Sequence, residues 1–267
     1  MQKNLLALSV FLLVQISAKA QKWEYGYGLH YQSPQGSMAN NINGATGVSF
    51  QAGYHLPVLK NKLSVNTDFG SGRYGKQRVE QTFQSDAVQT PTNFMVNYIN
   101  FANYAHLNLR YEIVSKGIVI PYVQMIGGRQ TLGTRVRINE YDEGFGGDGC
   151  EPLENDVTFR KRTMVWGYGG GVLVNLTSNK QRRCSENDIL INFSVSQIRG
   201  GSMDYVNVKQ LEQVQSTPEP DETGKAFTIP FININTNNIH NHTVARVYNS
   251  PLQQLQFKLG VIFRLEQ

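Results

Sequence analysis

Eight ionisable residues stand where their side chains could do chemistry together. Glu24, His30, His55, Asp68, His106, Arg110, Lys258 and Arg264 each occur in a run of alternating apolar and polar residues, and each falls on the polar side. Charged groups that share one interior must pair, because an isolated buried charge is costly. Glu24 and Arg264 lie in the first and last of these runs and are expected to pair where the runs meet. Asp68, Arg110 and Lys258 are expected to join the same polar network, with His55 and His106 among its members. Three inward histidines could instead shuttle protons or ligate a metal. Polar packing is the plainer reading, and no metal site is assigned.

Two other groups offer chemistry outside those runs. The stretch 140–156 sets Asp142, Glu143, Asp148 and Glu151 among glycines. Carboxylates so arranged can wrap a hard cation such as Ca²⁺, but EF-hand spacing is absent, and a solvated loop is the simpler account. His240 and His242 lie near Glu219, Asp221 and Glu222 in sequence, a composition that a hydrolytic enzyme could use. No Ser, His and acid can be set at a common depth, so no catalytic residue is assigned and no cofactor is implied. Gly167–Gly171 is not a phosphate loop, since neither a helix nor Lys-Ser/Thr follows it.

The elements that position these residues are strands. The closing run, 255–265, alternates strictly: Leu255, Phe257, Leu259, Val261, Phe263 and Leu265 on one face, Gln256, Lys258, Gly260, Ile262 and Arg264 on the other. Its length suits a tilted bilayer crossing. Seven more runs resemble it, at about 22–31, 47–56, 63–70, 97–111, 118–136, 164–176 and 189–198. The phase of 118–136 is not fixed by the sequence. Long polar connections (32–46, 71–96, 137–162 and 199–253) alternate with shorter ones (57–62, 112–117 and 177–188). Sorting of loops by length is the asymmetry of a barrel in an outer membrane. The expected fold is therefore all-β: an eight-stranded antiparallel up-and-down transmembrane barrel over 21–267. Ten strands result if 225–235 and 243–248 also cross, turning at Asn237-Asn238; a hairpin projecting above the membrane is preferred.

Residues 1–20 read as a secretory signal peptide: Lys3, an apolar stretch from Leu5 to Ile16, then Ala18-Lys19-Ala20. The charge balance, 25 basic against 20 acidic residues, is too even to suggest nucleic acid as a partner. In an exported chain Cys150 and Cys184 would by default form a disulfide. The eight-strand map puts them on opposite sides of the membrane, so two free or externally paired thiols are expected.

The leader, the alternating strands with inward glycines, Gly167-Tyr168-Gly169-Gly170-Gly171 opening a strand, and the aromatic-containing final strand together resemble the small outer-membrane β-barrels of Gram-negative bacteria. The similarity is to OmpX-, OmpW-, OmpA- and PorT-like barrels of the kind common in Bacteroidota. It covers most of the mature chain and is architectural. A terminal Phe is frequent in that group, whereas here Phe263 is followed by Arg264-Leu265-Glu266-Gln267. The resemblance implies an integral outer-membrane protein with periplasmic termini, assembled by the barrel-assembly machinery and surrounded by lipid and lipopolysaccharide. The expected role is envelope structure or surface binding and adhesion through long loops; the alternatives are a lipid-modifying enzyme, a protease or a small-solute channel.

Overall fold

A computed structural model describes residues 22–85, 88–115, 117–140, 150–154, 156–177, 187–209, 225–233 and 237–266. The signal peptide, Asp142, Glu143, Asp148, Cys184, Glu219, Asp221 and Glu222 lie outside these residues, as do the side chains of Cys150 and Glu151. The strands are β1 (Lys22–Pro34), β2 (Ala45–His55), β3 (Leu63–Ser85), β4 (Val88–Glu112), β5 (Val119–Glu140), β6 (Cys150–Pro152), β7 (Asp156–Asn175), β8 (Asn187–Val206), β9 (Lys225–Asn233) and β10 (Ile239–Glu266). One helical turn, α1 (Met38–Asn41), follows β1.

Eight strands close into an antiparallel ring, β1-β2-β3-β4-β5-β7-β8-β10, sealed by β1 against β10. The seal sets Trp23 opposite Leu265, Glu24 opposite Arg264 and Gly28 opposite Gly260. β9 is not a ninth stave. It pairs with the start of β10, turning back through Asn237 in the left-handed region (φ 56°), and β6 adds to its outer edge. The projecting hairpin is the arrangement found.

The ring is turned inside out relative to a water-soluble barrel. Met125 is 68 % exposed on the outside while Glu24 is 2 % exposed within. Among the described residues no helix is long and apolar enough to cross a membrane; the strands carry the apolar surface. Inward glycines admit the bulky interior side chains. A Cβ on Gly70 would press into the Tyr104 ring, and one on Gly28 into the Leu259 carbonyl. Gly70→Val is expected to cost about 1–3 kcal/mol through this overpacking, read from urea unfolding in lipid vesicles.

The structure corrects the strand lengths. Residues 71–96, expected to be loop, are mostly the continuation of β3 and β4, which pair from Leu63–Tyr111 as far as Ser85–Val88. β5, β7 and β8 likewise run beyond the apolar belt. β5 takes its phase from β4: Tyr122, Ile126, Gln130, Thr134 and Ile138 point inward. Above the belt the polarity reverses. Tyr74, Phe94, Val96, Tyr98, Val136 and Ile138 meet Ile229, Phe231, Val244 and Leu252 from β9 and β10 in one buried apolar core. The molecule is an apolar-faced ring continued into an apolar-cored cap.

Candidate functional site: the filled lumen

The inward residues of β4 read, from the terminal end of the ring outward, Glu112, Arg110, Asn108, His106, Tyr104, Ala102, Asn100, Tyr98, Val96 and Phe94. They step from charge through amide to hydrocarbon, and all of them are buried.

The first level is an ion cluster. Glu24 of β1 accepts from Arg110 of β4 and, at 3.3 Å, from Arg264 of β10. Arg264 also donates to Glu112 at 2.5 Å. His55 of β2 places Nε2 3.0 Å from Glu24 and Nδ1 3.0 Å from the Asn61 carbonyl. Every one of these side chains is buried, so the carboxylates and guanidinium groups are each other's solvent. Four strands are tied by one cluster, and it includes the seal between β1 and β10. Glu112, read from sequence as part of a turn, belongs here because β4 continues through it and its side chain points inward.

Glu24, His55 and Glu112 bring ligand atoms within 4.8 Å of one another, the one such metal-type grouping among the described residues. The two guanidinium groups already engage those carboxylates, so a divalent cation would have to displace them. The donor set is built as an ion-pair clamp.

The second level pairs Lys258 Nζ with Asp68 Oδ2 at 2.6 Å. Tyr104 stacks on His106 with centroids 4.4 Å apart and meets His30 edge-on at 5.1 Å. Asp68 and Lys258 therefore form their own layer rather than joining Glu24. At the third level amides relay across the ring, Gln254 to Gln130 at 3.4 Å and Gln130 to Gln32 at 3.2 Å, beside Thr134 donating to Asn100 at 2.7 Å. Tyr98 begins the apolar cap and donates its hydroxyl to the Val244 carbonyl.

His240 and His242, the pair considered for catalysis, lie on β10 where it pairs with β9. Their Nε2 atoms are 2.9 Å apart, and His242 is buried edge-on against Phe231. Burial, and then the adjacent His240, lowers the His242 pKa from 6.5 to about 4. The unfolded chain thus takes up this proton before the folded hairpin does. The stabilisation is complete above the unfolded value and is lost as pH falls from there through about 4. Amide protection across 239–247, corrected for intrinsic exchange, is expected to fall on moving from pH 7.5 to pH 4.5, and His242→Gln is expected to remove that step.

No family model matches the sequence, and no curated protein matches it. Among solved structures the chain is similar to the attachment invasion locus protein Ail of Yersinia pestis, at 10 % identity and a TM-score of 0.40, over 92 % of this chain and 98 % of that one. It is similar to a major outer membrane protein of Thermus thermophilus, at 10 % identity and a TM-score of 0.48, over 92 % and 99 %. It is also similar to the outer membrane protease OmpT of Escherichia coli, at 7 % identity and a TM-score of 0.34, over 93 % and 97 %. The closed antiparallel ring of eight strands, apolar outside and polar within, is the architecture of the small outer-membrane β-barrels.

Proposed function

We propose that this chain is a non-conducting outer-membrane barrel that carries a folded β cap for surface binding or adhesion. One observation supports the reading above the others: the inward side chains of β4 are buried from end to end, and the far end of the lumen is built as an apolar core. A channel needs a wet path, and a row of Tyr98, Phe94 and Phe231 across the mouth does not provide one. In this reading the termini face the periplasm and the cap faces outward. The final strand meets the assembly machinery, and lipid with lipopolysaccharide surrounds the apolar belt.

Cells expressing the chain are compared with cells lacking it, for adhesion to immobilised matrix proteins and to each other, and for uptake of a small periplasmically hydrolysed solute. Adhesion is expected to rise with uptake unchanged. Increased uptake without adhesion overturns the proposal in favour of transport.

A further inference from the structure

A ladder of arginines climbs the outer face where β5 meets β7. The register sets Arg129 opposite Met164, Thr131 opposite Arg162, Gly133 opposite Arg160 and Arg135 opposite Thr158. Arg129, Arg162, Arg160 and Arg135 therefore follow one another across the two strands as diagonal or i,i+2 neighbours, each step about 7 Å. All four are exposed. Asp156 neutralises only the far end, reaching Arg135 Nε and Arg137 Nε at 3.2 Å each. Among the described residues Arg129, Arg160 and Arg162 have no acidic partner.

Three adjacent guanidinium groups repel one another unless an anion sits between them. The same face of β7 continues below them with Met164, Trp166 and Tyr168, exposed by 67, 57 and 56 %. Trp166 and Tyr168 are the amphipathic aromatics that collect at a membrane interface, so the arginines just beyond them on the same face would stand at headgroup depth. Guanidinium also binds phosphate bidentately, which Lys does not.

We propose that Arg129, Arg160 and Arg162 bind the phosphorylated headgroup of a lipid in the leaflet around the capped end of the barrel. The inference rests on the outer-membrane reading above. Continuity with lipid-exposed Met164 and Trp166 favours a membrane lipid over a soluble polyanion as the source of the anion.

The test uses the purified full-length protein in detergent, with retained ligand measured by native mass spectrometry. The probes are diphosphorylated lipid A, the same lipid with its phosphates removed, and heparin. The wild type is expected to retain the phosphorylated lipid about tenfold better than the dephosphorylated one. The triple variant Arg129→Gln/Arg160→Gln/Arg162→Gln is expected to lose that preference, while Lys76→Gln/Arg78→Gln keeps it. Equal retention of both lipids by the wild type, or an unchanged preference in the triple variant, overturns the proposal. Heparin binding that the triple variant abolishes, without any phosphate preference among lipids, overturns it in favour of a soluble polyanion. If the triple variant does not fold, Arg162→Gln alone is expected to lower the preference about threefold, and no change contradicts the assignment. Conductance in vesicles tests the barrel reading separately, so a closed barrel without phosphate preference is a failure of this inference alone.

Discussion

Glu24→Ala is expected to lower the stability of the barrel by about 3–5 kcal/mol, the cost of leaving buried charges without their partner. The substitution removes the acceptor shared by Arg110, Arg264 and His55. Glu112 remains, already engaged by Arg264 and 3.7 Å from Arg110. One carboxylate would then face two guanidinium groups in a space closed to water. Because Glu24 and Arg264 sit opposite each other across the β1–β10 seal, the loss also falls on the pairing that closes the ring. Urea unfolding in lipid vesicles, followed by Trp23 and Trp166 fluorescence, measures it. The double variant Glu24→Ala/Arg264→Ala is expected to cost less than the sum of the single changes, since it removes a charge of each sign. A loss under about 1 kcal/mol for Glu24→Ala would show that the cluster is solvated and not a buried clamp.

Phe231→Ala is expected to cost a similar amount, about 3–5 kcal/mol, for a different reason. Phe231 is fully buried where β9 crosses to β4, with its ring 5.6 Å from that of Phe94 and edge-on to His242. Truncation leaves a cavity between two strands that are held together by apolar packing and not by a hydrogen-bonded ladder. The cap, rather than the ring, should loosen. Proteolysis within 225–233 is expected to accelerate while the β signature of the ring is retained. Loss of the ring together with the cap would show that the two form one cooperative unit.

The ring itself was legible because its exterior is apolar. Apolar residues at every second position in 255–265, 22–31 and 164–176 can only be the outward face of a half-buried strand, and the inward set follows by default. That logic also located Glu24, Asp68, His106, Arg110, Lys258 and Arg264 inside, and put Glu24 beside Arg264. The cap was not legible by the same logic. In 71–96 the alternation persists with its sign reversed: Arg73, Lys76 and Arg78 point outward to a polar environment, while Tyr74 and Val79 point inward. A scan for apolar outward faces reads such a stretch as polar loop. A bulge between Arg73 and Gly75 adds a residue to β3 at that boundary and hides the continuity further.

The division of the lumen into layers was beyond the sequence for another reason. Which inward charge meets which depends on shear between strands far apart in the chain, so Lys258 finds Asp68 and Arg110 finds Glu24 across separations of 190 and 86 residues. Only β4 carries the whole gradient within one strand, from Glu112 to Phe94, and it could have been read as such once the phase beyond Ala102 was followed.

Planar-bilayer recording of the purified protein tests the filled lumen most directly. With charge, amide and apolar levels all closed, the wild type is expected to give no stable conductance above the bilayer baseline at either polarity. Long-lived, reproducible openings of uniform size in the wild type would contradict the account.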